Sequence, residues 1–304
     1  MSMATGKVES IVTNAASISP ATDRALKYHT EETPYTLPTG TDESEWARLN
    51  AQHYGIKSYW GSNSAGANWP KSPKKILELG LGTGVWALEV AAQFPGSEVI
   101  GVDIIEPNLE TKPANFSFHR LNVVTDPWPF ESGSFDIVHC RFLAMHLPNF
   151  RDLVKKAIDA TAPNGILMFE DPALVMRSVD KAVPSPVALF FAIYQGHSEA
   201  NGVNCRTGPE FLPIIRDSKQ FSEIHETIVP APMGDWTEDE KLNSIGLGLQ
   251  VGLIEGARFQ NPRLYRFGMT KEIVEGMCQE LLKKENHLCY DMYFVWARKR
   301  KTNL

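Results

Sequence analysis

The stretch Lys74 to Trp86, KKILELGLGTGVW, constrains this chain more than any other. Its apolar run, Ile76, Leu77 and Leu79, suits a parallel strand covered on both faces, and the glycines at 80, 82 and 84 let the backbone turn sharply and approach a ligand. Val85 to Phe94 then carries Trp86, Val90 and Phe94 at four-residue steps, an amphipathic helix that Pro95-Gly96 stops. Glu98 to Asp103, EVIGVD, is the next buried strand, which completes a right-handed βαβ unit.

The alternation continues. Phe116 to Val124 reads as a strand, Thr125-Asp126-Pro127 as a turn, and Ser134 to Cys140 as another strand. Leu153, Val154, Ala157 and Ile158 mark a helix from about Phe150 to Ala160, which Pro163-Asn164-Gly165 should end, and Gly165 to Glu170 is the following strand. Strands alternating with helices predict an α/β fold with a mostly parallel, doubly wound sheet and helices on both faces.

The flanks are less regular. Residues 1–25, rich in Ser, Ala and Thr, read as a flexible lead-in, and 26–304 as one domain. Before the glycine stretch, a Pro-Thr-Gly turn and Asp42 or Ser44 as a cap introduce a helix with Trp46, Leu49 and Tyr54, a candidate N-terminal cover. From Met176 to Arg216 the pattern loosens around a helix-like piece at Val187 to Tyr194, an insertion suited to substrate contacts. Phe221 to Val229 and Leu288 to Ala297 alternate as strands, with helices at Thr237 to Glu255 and Thr270 to Glu285 between them.

Charge and cysteine usage narrow the partners. The net charge of -6 gives no reason to expect nucleic acid. Four scattered cysteines, with no CxxC pair and no cysteine-histidine cluster, read as reduced thiols, so no metal is expected. No signal pattern and no apolar run of membrane-spanning length are present, so the expectation is a cytoplasmic protein with no membrane partner.

Two ligand classes use such a glycine turn: dinucleotides such as NAD, and S-adenosylmethionine. The dinucleotide fingerprint GxGxxG requires a third glycine at position 85, where this chain has Val85. Glu78, two residues before Gly80, is placed to hold an ammonium group. Asp103, at the carboxyl end of the second strand, is placed to accept from both ribose hydroxyls and disfavours a 2'-phosphate.

The segments ILELGLGTGVWALEVA, VIGVDI, SFDIVHCRFL and the strand after APNG resemble the successive motifs of class I S-adenosylmethionine-dependent methyltransferases. The resemblance covers about 74–171; more loosely, YTLPTGTDESEWARLNAQHYGIKSYWG and APMGDWTEDEKLNSIG resemble fungal methyltransferases of secondary metabolism, including a regulator-like branch. It implies a Rossmann-like sheet of seven strands with the last antiparallel, an N-terminal helical cover, and a helical insertion before the sixth strand. Carried over by position, Glu78, Gly80, Gly82 and Gly84 would line the methionine moiety and Asp103 the ribose. Asn122 and Val123 would sit beside the adenine, with Asn in place of the family's usual acid. Cys140 and Arg141 would face the sulfonium region.

Methyl transfer is an in-line displacement that needs alignment and exclusion of water, and a base where the acceptor is a phenol or carboxyl. His146, in the loop after the fourth strand, is the first candidate base, and His197 on the insertion is the second. His139 lies inside the strand and reads as core; Glu170 and Asp171 end the fifth strand as further acids. Tyr35, Trp60, Phe142, Phe190, Phe191 and Tyr194 supply aromatic surface suited to an aromatic or polyketide-like molecule. The leading expectation is O-methylation of a small phenolic metabolite. The alternatives are a protein methyltransferase or regulatory partner, an S-adenosylmethionine-binding protein that transfers nothing, and, furthest from the motif, an NAD enzyme.

Overall fold

In a computed structural model, residues 43–258 and 262–301 are described. The expected lead-in at 1–25, Tyr35, the Pro-Thr-Gly turn and Asp42 lie outside the described residues; Ser44 falls inside the first helix rather than at its cap. The seven strands form one sheet in the order β3-β2-β1-β4-β5-β7-β6: β1 (Lys75–Leu79), β2 (Glu98–Asp103), β3 (Phe116–Arg120), β4 (Phe135–Arg141), β5 (Thr161–Ser178), β6 (Phe221–Pro232) and β7 (Leu288–Lys299). Strands β3, β2, β1, β4 and β5 pair in parallel, with Leu79 opposite Val102 on one side and Cys140 on the other. β7 runs antiparallel to β5, as the family resemblance implied.

The described chain divides into two compact units. One comprises Asn63–Ala173, Gly202–Val229 and the chain from Met292 onward, and holds the glycine turn. Here helices α2 (Val85–Gln93) and α3 (Phe150–Ala160) follow β1 and β4. α3 buries Phe150, Leu153, Val154, Ala157 and Ile158, an i, i+3, i+4, i+7, i+8 stripe, among Leu77, Val138, Leu167 and Phe169 of the strands. Full burial of each large apolar side chain contributes about 1.5–3 kcal/mol.

Three sequence readings need correction in this unit. β3 stops at Arg120, because residues 121–126 fold into a turn in which the Asp126 carboxylate accepts from the Asn122 amide at 2.8 Å. Pro163-Asn164-Gly165 lies within β5 instead of ending α3. Its extra residues form a bulge, Phe135 pairing with Thr161 and Ile137 with Ile166, and Asn164 takes φ 64°. A helix α5 (Gly208–Asp217) stands where the pattern reads as loose; Pro209 in its first turn and Pro213 inside it disguise a stripe of buried Gly208, Phe211 and Ile215. Phe211 stacks on Phe169 with ring centroids 4.7 Å apart.

The other unit comprises, among the described residues, 43–62, Leu174–Asn201 and Pro230–Asp291. Its helices are α1 (Glu43–Trp60), α4 (Ser185–Ala200), α6 (Glu240–Arg258), α7 (Pro262–Tyr265) and α8 (Lys271–Leu281). α1 and α6 pack closely through glycines: a Cβ at Gly248 would lie 2.4 Å from the Ala51 carbonyl oxygen, and one at Gly55 2.8 Å from that of Ser244. Beside this seam the Arg48 guanidinium makes two 2.6 Å bonds to the Glu45 carboxylate, both side chains buried. Among the described residues no helix is long and apolar enough to cross a membrane, and no group of acidic, His and Cys side chains is arranged to hold a metal ion.

Candidate functional site

The glycine turn is built from the end of β1 outward. The amides of Gly80 and Leu81 both donate to the Val102 carbonyl at 3.0 Å, which bends the chain across the end of β2. Gly80, Gly82 and Gly84 have φ of 78°, 55° and 79°, a region that favours glycine. At Gly80 a Cβ would also come within 3.1 Å of the Leu143 side chain. α2 then begins at Gly84 with no side-chain cap, leaving its first-turn amides suited to a carboxylate.

Asp103 closes the turn from the neighbouring strand. Its Oδ2 accepts from the Gly82 amide at 2.9 Å, and its Oδ1 from Ile104 at 2.7 Å and Ile105 at 3.4 Å. Burial raises its pKa, and these amide bonds oppose the rise. A carboxylate offers about four lone-pair positions, so these three bonds leave one on Oδ2 for a hydroxyl donor, and Oδ1 gains one only where a hydroxyl replaces the long Ile105 contact. The chemistry of this set fits an adenosyl ligand: an acceptor carboxylate for a ribose hydroxyl, small residues for close approach, and a helix start for a carboxylate.

Of the proposed adenine contacts, Asn122 and Val123 lie just beyond β3. Asn122 Oδ1 accepts from the Val124 amide at 3.0 Å, so one of its two lone pairs is engaged locally. Val123 is buried, and its carbonyl accepts from Lys156 Nζ at 2.8 Å. Cys140 sits opposite Leu79 and Phe169, buried, its thiol pKa raised well above the ordinary value by burial and then by the nearby Asp171, Glu78 and Glu170 carboxyls. Such a thiol stays protonated, a packing group rather than a nucleophile.

Beneath the turn lies a buried row of charge. Glu78 and His139 are cross-strand neighbours on β1 and β4, and Arg141 is opposite Glu170 of β5. His139 Nδ1 is 3.6 Å from Glu78 Oε1, its Nε2 3.4 Å from Glu170 Oε1, and Arg141 Nη1 3.5 Å from Glu170 Oε2. The imidazole stacks on the Trp86 indole at a centroid distance of 3.9 Å and 14°. Core burial of His139 was legible in the sequence; its double carboxylate contact and the Trp86 stack were not, since both depend on strand register.

His146 ends a 3-10 turn, Ala144–His146, entered through Phe142 at φ 51°. Asp171 anchors that turn: its buried Oδ2 accepts from the Met145 amide at 2.9 Å and from Thr207 Oγ1 at 3.0 Å. Burial pushes its carboxyl up to about 7. Thr207 gives no sign of this role in the sequence, because the contact spans 36 residues.

Glu78, the three glycines, Asp103, Asn122, Val123, Cys140 and His146 all belong to the glycine-turn unit; His197 belongs to the other. It is buried on α4, its ring edge-on to Phe267 at 5.0 Å and its carbonyl accepting from Asn201 Nδ2 at 2.7 Å. Burial, then the Arg263 charge, lower its pKa, which favours the neutral imidazole. Of the aromatic residues expected to cover a substrate, Phe190 and Phe191 are buried, 5.4 Å apart, in the core of that unit.

A family model described as "Methyltransferase domain" matches residues 23–198. Curated relatives span the chain. Methyltransferase str2 of Strobilurus tenacellus is 31% identical over 90% of this chain and 98% of its own. Methyltransferase str3 of the same organism is 34% identical over 76% and 83%. The secondary metabolism regulator LAE1 of Cochliobolus heterostrophus is 25% identical over 85% and 88%.

Proposed function

The chain belongs to the methyltransferase-domain family with S-adenosylmethionine as its cofactor, and from that premise we propose that it methylates an oxygen of a phenolic or related small metabolite. The observation that carries the cofactor side of this reading is the bond from the Gly82 amide to Asp103 Oδ2 at 2.9 Å, which fixes an acceptor carboxylate over the turn.

In this reading Asp103 holds the ribose hydroxyls, Glu78 the ammonium group, and the uncapped start of α2 the carboxylate, while Asn122 and Val123 flank the adenine. The cofactor, when bound, supplies an electrophilic methyl group on a sulfonium. The chain's own contribution is to align an acceptor oxygen with that carbon and to keep water out, since positioning supplies much of the rate in such displacements. His146 takes the proton from a phenol as the oxygen attacks, and Asp171 fixes its turn through the Met145 amide. The similarity to methyltransferases str2 and str3 across most of the chain supports methyl transfer itself.

A second reading, a protein methyltransferase or regulatory protein of secondary metabolism, draws on the similarity to LAE1. Transfer of labelled methyl from S-adenosylmethionine, screened over phenols, carboxylic acids, amines and a fungal protein extract, separates the two. Label on a phenol that resists mild base supports the first reading. Label only in protein, with every small acceptor inert, replaces it with the second.

A further inference from the structure

The buried row beneath the glycine turn has a charge balance that depends on one proton. Two carboxylates, Glu78 and Glu170, face one guanidinium, Arg141, and one imidazole, His139. His139 is fully buried and Glu78 nearly so. With both acids ionised, the charges of these four groups sum to zero only when His139 carries its second proton. A neutral imidazole has one N–H, yet both ring nitrogens here are buried without a hydrogen bond, and each lies within ion-pair distance of a carboxylate oxygen, at 3.6 and 3.4 Å.

The surroundings favour the charged ring. The indole face of Trp86 lies against it at 3.9 Å, an arrangement that attracts a cation. Burial alone would lower the His139 pKa, but Glu170 and Glu78 outweigh it and Arg141, and the net direction is upward. Glu78 is pushed the other way from an ordinary acid: burial raises it, against the pull of His139, Arg141 and the Ala87 amide of α2. One oxygen of Glu78, Oε2, is buried with no hydrogen bond. An acid so placed awaits a donor.

We propose that His139 is a positioning residue: it shares one proton with Glu78 and holds that carboxylate in place until the ammonium group of the ligand replaces the imidazolium as its counter-ion. The proton then leaves to solvent and the row is again neutral. Cofactor binding is thereby coupled to proton release, and affinity rises with pH through the titration of the pair. This inference rests on the reading of Glu78 as the ammonium site.

The test is calorimetry with S-adenosylhomocysteine at pH 7 in two buffers of different ionisation enthalpy, which counts protons exchanged on binding. The wild-type protein should release between about half and one proton, with affinity rising by up to about tenfold per pH unit in the coupled range. In His139→Asn, which keeps a polar side chain but cannot titrate, binding should persist with that release abolished and the pH slope flattened. A change in packing alone would alter affinity without altering the proton count. Wild-type protein that binds without releasing a proton overturns the proposal, as does an equal release from His139→Asn; should that variant not fold, His139→Gln serves, with the same loss of release expected. No binding of S-adenosylhomocysteine at all would instead remove the cofactor-site reading and the proposal with it.

Discussion

Replacing Asp171 with Asn tests how the end of β5 supports the loop that carries His146. Asp171 Oδ2 receives both the Met145 amide and the Thr207 hydroxyl, while the buried Oδ1 makes no hydrogen bond. An Asn with its oxygen in the Oδ2 position keeps both bonds and removes the ionisation. Burial raises the folded carboxyl to about 7 from its ordinary 3.8. A raised pKa contributes stability that is complete below the unfolded value and is lost as pH climbs through the folded one. Between pH 5 and 7 the unfolded chain is already ionised while the folded one is not, which at about 1.4 kcal/mol per pH unit amounts to about 3 kcal/mol lost by pH 8. Urea denaturation followed by tryptophan fluorescence at pH 5, 6, 7 and 8 measures this directly. Asp171→Asn should fall less steeply than the wild type by about that amount over the range, since other titrating groups are common to both. Parallel curves would refute the burial argument.

Two further outcomes follow from packing and from the loop. Gly248→Ala places a methyl 2.4 Å from the Ala51 carbonyl oxygen, so α1 and α6 must part; the expected loss is about 1–3 kcal/mol by urea denaturation, and unchanged stability would contradict the close seam. His146→Ala should retain S-adenosylhomocysteine affinity and lower turnover on an accepted phenol by about 10²–10⁴, and full turnover would eliminate the base role.

Local patterns carried the first half of the fold because each strand and helix there is short and buried on a simple period. The run Ile76, Leu77, Leu79 and the stripe from Phe150 to Ile158 are legible since burial alone dictates them. The bulge at Pro163-Gly165 is not, because proline and glycine there mimic a helix stop, and only pairing with β4 reveals a strand. α5 was hidden by two prolines within its ten residues. At the candidate site, Asp103 and the glycines are legible because chain direction places strand ends beside the turn. The links Asp171 to Thr207 and His139 to Glu170 arise from tertiary register, for which the sequence contains no local signal. His197 illustrates the converse: helical position alone gives no indication that it lies in a different compact unit from His146.

The central claim is that the turn at Gly80 to Gly84, closed by Asp103, receives S-adenosylmethionine. Calorimetry of the wild type and Asp103→Ala with S-adenosylhomocysteine and with NAD tests it most directly. S-adenosylhomocysteine should bind the wild type and bind Asp103→Ala about 10–100-fold more weakly, the loss of charged hydrogen bonds worth about 1.5–3 kcal/mol, while NAD gives no heat. Tight binding of NAD without S-adenosylhomocysteine, or an affinity unchanged in Asp103→Ala, would contradict it.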